Sequence, residues 1–210
     1  MMNMPKIILL ASNNPGKIRE IQSLLSDLDI EILPQGLFFK EEAEETGKTF
    51  LENALIKARH AAQLSGLPSI ADDSGLEVDA LGGEPGVYSA RYAGPNAADH
   101  ENNAKLLKAM EGLESSQRTA RFRCAMVYVR SAMDANPIIA EAAWEGRILH
   151  ELTGKNGFGY DPLFYVPNHA CASAELPPDL KNQLSHRGQA LRILMAKLIS
   201  LGTENARVEL

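Results

Sequence analysis

The N-terminal stretch constrains the fold most, because an apolar run is followed by a polar turn and then by apolar residues at helical spacing. Residues 6–11, KIILLA, form an apolar run of strand length that ends in Ser, Asn, Pro and Gly. Apolar residues then recur every three or four positions, at Ile18, Ile21, Leu24, Leu25 and Leu28. This order predicts a buried strand, a polar loop and an amphipathic helix, which is the opening unit of an α/β protein.

Three further helices are predicted downstream, after residues 30–48, which appear irregular and acidic. Thr49 and Glu52 have capping-box spacing and Gly66 supplies a stop signal, so a second helix begins at about Thr49. Residues 98–110 have the pattern of a third helix. An amphipathic last helix covers residues 191–199 and begins just after the sequence Ser-His-Arg-Gly at 185–188.

Strand candidates separate these helices. Residues 69–71 form a short strand that the sequence Asp-Asp-Ser-Gly interrupts. Residues 121–129 and 138–144 are joined by a short polar turn, which favours a hairpin. Residues 153–162 form a glycine-rich loop, and residues 167–183 look irregular. Strands that alternate with helices and then form a hairpin predict an α/β fold with a mixed sheet. No shift in composition marks a linker, so we expect one domain over residues 1–210.

Composition limits the classes of partner and compartment. The formal net charge of −6 argues against a nucleic-acid-binding protein, since affinity for duplexes comes from Lys and Arg. The first apolar run is too short for a signal peptide or a membrane span. Two cysteines, far apart, indicate neither a disulfide framework nor a zinc site. We therefore expect a cytoplasmic protein that contacts neither nucleic acid nor membrane.

The loop after the first strand has the features of a phosphate site. A helix start presents backbone N–H groups and a positive dipole end to an anion. Lys17 adds a point charge, while Ser12 and Asn14 add hydrogen-bonding groups. The alternative is a plain helix cap with Pro15 in the first helical turn, and the residues of the loop leave both open.

Two groups of carboxylates could hold a cation. The first is an acidic patch made of Glu41, Glu42, Glu44 and Glu45. The second is the adjacent pair Asp72 and Asp73, whose charges repel each other unless a cation or donors compensate them. If the backbone stays extended there, the two side chains point to opposite faces. Oxygen ligands of this kind suit magnesium better than zinc. The alternatives are a solvated acidic surface and an Asx-type turn.

Two later segments could bind a nucleoside. The sequence Gly-Phe-Gly-Tyr-Asp-Pro at 157–162 lacks the third glycine of a dinucleotide fingerprint, but its aromatics suit a flat ring, and Asp161 could accept from a base N–H. Ser185, His186 and Arg187 could donate to a base or a phosphate. The alternatives are a tight turn with core aromatics and a serine N-cap. No pattern for a covalent nucleophile is present.

Five stretches together resemble the inosine triphosphate pyrophosphatase family, also called the Ham1/RdgB-like dITP/XTP pyrophosphatases. They are SNNPGK, EETGKTFLENALIKA, IADDSGLEVDALGGEPGVYSARYAG, GFGYDP and SHRGQAL, in that order. The resemblance covers most of the chain from Lys6 to about Leu201. It implies an elongated α/β fold with a long, twisted mixed sheet, two lobes with the active site in the cleft between them, and a homodimer. Residues 202–210 have no counterpart and are expected to form a flexible tail.

The resemblance also implies a role for each candidate residue. Asp73, Asp72 and Lys57 would be catalytic, and Glu45 and Asp73 would hold Mg²⁺. The triphosphate would bind the loop formed by Ser12, Asn13, Asn14, Pro15, Gly16 and Lys17. Other substrate contacts would come from Ser74, Phe158, Gly159, Tyr160, Asp161, Lys181, Ser185, His186 and Arg187. The implied reaction converts ITP, dITP or XTP to the nucleoside monophosphate and pyrophosphate, which removes these nucleotides from the pool.

Three rival functions are open at this stage. The first is a pyrophosphatase with another base preference, such as modified pyrimidines. The second is a regulator that binds nucleotides without turnover, and the third is a structural dimer module. Comparing the hydrolysis of ITP, XTP, dUTP and GTP separates the first rival. The regulator would bind ITP without releasing pyrophosphate. The structural module would need neither Lys17 nor the aspartate pair.

Overall fold

The computed structural model describes residues 5–25 and 30–208, with side chains for residues 5–25 and 30–200. The strands of the described residues are β1 (Ile7–Leu10), β2 (Glu31–Pro34), β3 (Ser69–Val78), β4 (Thr119–Val129), β5 (Ile138–Ile148), β6 (Phe164–Val166) and β7 (Cys171–Ala172). Their α-helices are α1 (Pro15–Leu25), α2 (Phe50–Ser65), α3 (Asp99–Ala109), α4 (Pro178–Leu184) and α5 (His186–Val208).

All of these strands belong to one seven-stranded sheet in the order β2-β1-β3-β4-β5-β6-β7. Strand β1 pairs in parallel with both β2 and β3, whereas β6 is antiparallel to β5 and β7. The predicted hairpin strands, β4 and β5, are neighbours in the sheet. The predicted α/β fold with a mixed sheet is therefore confirmed.

The chain divides into two compact units, which we call unit 1 and unit 2. Unit 1 comprises Met1–Asp73, Cys124–Ala142 and Arg187–Leu210. Its core contains side chains from the sheet and from α1 and α5, including Ile8, Leu10, Ile21, Met126 and Leu194. The spacing predicted for the first helix accounts for Ile21 and Leu25, which are buried, while Leu28 lies outside the described residues.

Unit 2 comprises Ser74–Arg123 and Ala143–His186. Its core is richer in aromatic side chains and includes Phe122, Trp144, Tyr160, Leu163 and Phe164. The rings of Phe122 and Phe164 lie 4.5 Å apart between centroids, a separation typical of packed aromatic pairs. The expectation of one domain over residues 1–210, with a cleft between lobes, stays a prediction.

Local sequence signals set the bounds of α2. Thr49 is the N-cap, and its side chain accepts a hydrogen bond from the backbone N–H of Glu52, while Glu52 accepts from the backbone N–H of Thr49. Gly66 ends the helix in the left-handed conformation, with φ of 71°. This arrangement satisfies groups that a helix end otherwise leaves unpaired, so the predicted start and stop signals are confirmed.

Four local predictions differ from the structure. Residues 31–34 are an edge strand rather than irregular chain, and a short edge strand that ends in proline has too few residues to show a period. Strand β3 continues through residues 72–75. Within the segment predicted to be irregular, residues 171–172 form β7, and residues 178–184 form α4; both are too short for a periodic signal. Helix α5 includes residues 202–208 of the expected tail, whose flexibility stays a prediction; residues 209–210 lie outside the described residues.

None of the helices in residues 5–25 and 30–208 combines the length and the apolar character that a bilayer span requires.

Candidate active site

Strand β3 carries the aspartate pair in its interior, with Asp72 and Asp73 at consecutive positions. Aspartate and glycine are disfavoured in strands, so the sequence alone indicates a break there. The strand continues because each carboxylate has cationic partners, which compensate its burial. Consecutive side chains of an extended strand point to opposite faces. The pair accordingly contacts two separate sets of residues.

Asp72 is almost fully buried and lies among cations. Its Oδ2 atom is 2.9 Å from Lys17 Nζ and 3.2 Å from Arg187 Nε. Burial alone raises the pKa of Asp72, but the charges of Lys17 and Arg187 outweigh burial and lower the pKa well below its usual value. Arg187 Nη1 also donates to Glu20 Oε2. Asp72 is therefore an ionised carboxylate that fixes two cationic side chains.

Asp73 contacts the second set of residues, which belong to α2 and to the acidic segment before it. Lys57 Nζ is 2.7 Å from Asp73 Oδ1 and 2.9 Å from Glu45 Oε1, so one ammonium group joins the two carboxylates. Asn53 Nδ2 donates to Asp73 Oδ2 at 3.3 Å, and Asn53 Oδ1 accepts from the Gly47 N–H at 2.8 Å. The predicted residues Glu45, Lys57 and Asp73 thus come together.

The electrostatics of this second set differ from those around Asp72. Burial raises the pKa of Asp73 more than the charge of Lys57 lowers it, so the net direction is upward. Burial alone would lower the pKa of Lys57, but the surrounding carboxylates, Asp73 first, raise it above its ordinary value. The adjacent aspartates therefore have pKa values shifted in opposite directions, which is typical of groups with different chemical roles.

The loop before α1 forms a side-chain cap. Asn14 Oδ1 accepts from the backbone N–H groups of Gly16 and Lys17, at 2.8 and 3.2 Å, and Ser12 Oγ accepts from Asn14 N. Pro15 is the first residue of the helix. The plain capping alternative therefore describes the hydrogen bonds of Ser12 and Asn14. Lys17 alone extends from this loop to the aspartate pair.

Most of the acidic patch is exposed. Glu41, Glu42 and Glu44 are exposed, and Glu42 Oε1 accepts a hydrogen bond from Asn13 Nδ2 at 3.1 Å. Glu45 alone reaches the carboxylates of β3 through Lys57. No group of three or more His, Cys, Asp or Glu side chains within the part of the chain that the structure describes could hold a metal ion by itself.

In unit 2, the predicted nucleoside segment forms a loop around a buried carboxylate. Asp161 Oδ2 accepts from the Phe158 N–H at 2.9 Å and from Lys181 Nζ at 2.7 Å, while Asp161 Oδ1 accepts from Ser173 Oγ at 2.9 Å. Lys181 Nζ lies 5.1 Å from the centroid of the Phe158 ring. The loop thus brings Phe158, Asp161 and Lys181 together, and Asp161 has three protein donors.

The remaining predicted residues lie around the start of α5 and on β3. Ser185 is buried just before the helix, and the His186 ring stacks on Phe122, with centroids 4.8 Å apart and planes 13° apart. Ser74 is half-buried on β3, after the aspartates. His186 belongs to unit 2, whereas Arg187 belongs to unit 1 with Asp72 and Glu20.

Comparison with known proteins identifies the family. Residues 8–197 match the profile of the Ham1 family. The chain belongs to the Ham1 family. It is 60% identical over 198 residues to a protein of Methylococcus capsulatus named dITP/XTP pyrophosphatase, covering 94% of this chain and 98% of that protein. It is 61% identical over 193 residues to a protein of the same name from Vibrio parahaemolyticus, covering 92% and 96%.

Solved structures of Ham1 proteins share the fold. The structure of a HAM1 protein from Coxiella burnetii superposes with a TM-score of 0.85 at 52% identity, covering 92% of this chain and 98% of that one. The Staphylococcus aureus Ham1 protein gives a TM-score of 0.81 at 41% identity, covering 92% and 98%. The family resemblance inferred from the five motifs is therefore confirmed.

Sequence reasoning missed several polar residues of this Ham1-family site. Asn53 precedes Lys57 by four positions on a predicted helix, so the shared helix face could have indicated it. Glu20 follows Lys17 by three positions, which gives the same kind of signal. Ser173 lies in a segment predicted to be irregular, and no periodicity connects it to Asp161. Its role is visible only in the folded chain.

Proposed function

We propose that this Ham1-family protein is a hydrolase acting on non-canonical purine nucleoside triphosphates, ITP, dITP and XTP. It cleaves the bond between the α and β phosphates and releases the nucleoside monophosphate and pyrophosphate. The observation that carries the proposal is the aspartate pair of β3, with Asp72 fixing Lys17 and Asp73 sharing Lys57 with Glu45. The name dITP/XTP pyrophosphatase of the 60% identical relatives supports the same substrate class.

The chemistry of unit 1 follows from these charges. A water oxygen attacks the α-phosphorus, a new P–O bond forms, and the P–O bond to the leaving pyrophosphate breaks. Asp73 orients this water and accepts its proton. Lys17 neutralises the negative charge that grows on the leaving group. Lys57 holds Asp73 and Glu45 in place, and Asp72 holds Lys17.

The donor set fits Mg²⁺. Glu45 and Asp73 direct carboxylate oxygens to the same ammonium nitrogen, so the site already compensates two negative charges with one cation. Magnesium is commonly held by one or two carboxylates together with phosphate oxygens of the substrate. Two carboxylates, with no third acidic ligand beside them among residues 5–25 and 30–208, agree with that pattern. When bound, Mg²⁺ supplies additional positive charge to the phosphates.

The loop of unit 2 supplies the nucleoside site in this proposal. The half-buried Phe158 ring offers a face on which a purine can stack, and Lys181 lies near the same ring. Inosine and xanthosine carry a carbonyl at C6 where adenosine carries an amine, so a donor from His186 favours the first two. A buried donor opposite the adenosine amine is mismatched, which penalises ATP.

Three further features belong to the proposal. We propose that the protein is cytoplasmic and that, as the family resemblance implies, it forms a homodimer. We propose in addition that Ser12, Asn13, Asn14, Pro15 and Gly16 contact the triphosphate beside Lys17. The side chains of Ser12 and Asn14 now accept hydrogen bonds from backbone N–H groups of the loop. Phosphate oxygens would have to replace these side chains as acceptors.

A pyrophosphate-release screen tests the proposed function. The purified protein is incubated with ITP, dITP, XTP, GTP, ATP and dUTP, with and without Mg²⁺, and pyrophosphate and orthophosphate are measured separately. We expect magnesium-dependent pyrophosphate release that is fastest with ITP, dITP and XTP. Faster turnover of dUTP would favour the pyrimidine rival. Tight binding of ITP without any product would favour the regulator.

A further inference from the structure

Helix α3 contacts the backbone of Gly159, in the Phe158–Asp161 loop, on both sides of its Cα atom. The backbone N–H of Gly159 donates to Asp99 Oδ2 at 2.7 Å, and Asn103 Nδ2 donates to the Gly159 carbonyl at 2.9 Å. Asp99 and Asn103 are four positions apart on α3, so they lie on the same face of the helix. Neither residue belongs to the sequence-predicted site.

The conformation of the loop makes this contact consequential. Gly157 and Gly159 both have positive φ, 79° and 61°, in the left-handed region that glycine adopts readily. A segment with two such glycines has many accessible conformations, so it loses much entropy when it is fixed. The two hydrogen bonds to α3 anchor Gly159, which lies between Phe158 and Tyr160, to the helix.

The hydrogen bonds of Asn103 indicate that the NH2 group of its side chain, and not its oxygen, makes the contact that matters. The side chain is 4% exposed, and its Oδ1 atom has no hydrogen-bond partner among the described residues. A buried acceptor without a partner is unfavourable, so an apolar side chain would pack there at lower cost. The amide is therefore useful for the one bond that it donates, to Gly159.

Other bonds hold the residues on both sides of Gly159. The Phe158 N–H donates to Asp161, and Tyr160 Oη donates to the Ser89 carbonyl at 2.8 Å. The Asp161 N–H also donates to the Phe158 carbonyl, at 3.3 Å. These bonds tether the neighbours of Gly159, whereas the Gly159 N–H and carbonyl bond to α3. Loss of the α3 contact would leave the backbone at Gly159 without these two anchors.

We infer that Asp99 and Asn103 are positioning residues for the nucleoside, acting as a clamp on the Gly159 backbone. The inference rests on the proposed function, in which the Phe158 ring stacks on the purine. A loop that is already ordered does not lose further conformational entropy when the nucleoside binds. The clamp therefore acts on the affinity for the nucleoside and leaves the phosphate chemistry of unit 1 unchanged.

A matched pair of variants at the exposed Asp99 tests the inference. Asp99→Ala and Asp99→Asn both remove the negative charge at the start of α3, but only Asn keeps an oxygen that accepts from Gly159. We expect Asp99→Ala to raise KM for ITP by roughly three- to tenfold, the loss of about one hydrogen bond, with kcat within about twofold. Asp99→Asn should restore a KM close to that of the wild type.

A second variant and a second ligand complete the test. Asn103→Leu removes the donor to the Gly159 carbonyl and should raise KM in the same way, while its thermal midpoint shows whether it folds. Tripolyphosphate, which has no nucleoside, should inhibit every variant with the same Ki as the wild type. If Asp99→Ala has a wild-type KM, or if tripolyphosphate inhibition weakens in parallel with KM, the clamp is refuted. A wild-type protein that hydrolyses no purine triphosphate refutes the proposed function instead, and the clamp with it.

Discussion

In unit 1 the proposed catalytic side chains come mostly from regular secondary structure, whereas in unit 2 the proposed nucleoside residues belong to a loop. Asp72 and Asp73 lie on β3, Lys17 on α1 and Lys57 on α2. Strands and helices fix these charges before any ligand arrives, and ion pairs compensate their burial. The loop around Phe158 contains glycines with positive φ and depends on individual hydrogen bonds. We therefore expect changes at the aspartate pair and its lysine partners in unit 1 to affect kcat, and changes in the loop of unit 2 to affect KM.

The largest effect should follow from Asp73→Asn, because this change removes the proposed proton acceptor and keeps the shape of the side chain. We expect kcat for ITP to fall by about a hundredfold or more. Asp179→Asn, at an exposed carboxylate on α4, is the control and should leave kcat unchanged. Pyrophosphate release at saturating Mg²⁺ measures both. Wild-type turnover in Asp73→Asn would contradict the assignment of unit 1 to catalysis.

Lys17→Met should give the second largest effect, since it removes the cation proposed to neutralise the leaving pyrophosphate and leaves Asp72 with fewer partners. We expect kcat to fall by about a hundredfold, the lower end of the usual cost of losing one such charge-stabilising group. The matched control is Lys108→Met, at an exposed lysine of α3. A loss of affinity without a loss of kcat would place Lys17 with the binding residues and weaken the contrast between the units.

Asp161→Asn should weaken the loop around Phe158 in unit 2, and with it the binding of the nucleoside. The change removes the charge that pairs with Lys181, whose Nζ is 2.7 Å from Asp161 Oδ2. We expect KM for ITP to rise by about tenfold, the loss of a charge-assisted hydrogen bond, with kcat within about threefold. Steady-state kinetics below the thermal midpoint of the variant separate the two parameters. A variant with reduced kcat and normal KM would reverse the assignment of this loop to binding.

The smallest effect should come from a pair of glycines with nearly equal φ. A Cβ at Gly157 would overlap Asp161 Oδ2, whereas a Cβ at Gly112 has no neighbour within 4 Å; φ is 79° and 77°. Gly112→Ala should lower the free energy of unfolding by about 1 kcal/mol, from left-handed strain. Gly157→Ala should lower it by more, because its Cβ also displaces the buried Asp161. Only Gly157→Ala should also raise KM, by a few-fold. Equal KM values in the two variants would show that the loop tolerates displacement of Asp161.

Much of the fold and part of the site follow from local sequence patterns. The first strand, the capping box of Thr49 and Glu52, and the stop at Gly66 are predicted within a few residues, because each depends on neighbours in the chain. The grouping of Glu45 and Asp73 follows from the motifs and the family resemblance. Edge strand β2 and helix α4 were missed, because four and seven residues carry no measurable period.

The partners of the charged residues could not be predicted, since they depend on contacts between distant segments. Asp72 and Arg187 are 115 positions apart, and no local pattern connects them. The same holds for Ser173 and Asp161, and for Asn103 and Gly159. Such contacts form only when strands and helices assemble, so the burial of each carboxylate and the direction of its pKa shift depend on the assembled fold.

The sequence by itself determined the α/β class, the family and the types of residue available for binding and catalysis, because periodicity, capping and motifs are properties of neighbouring residues. The tertiary structure decided which of two adjacent aspartates contacts Lys17 and which contacts Lys57. An extended strand turns consecutive side chains to opposite faces, and only the packing of other elements determines what each side chain meets there.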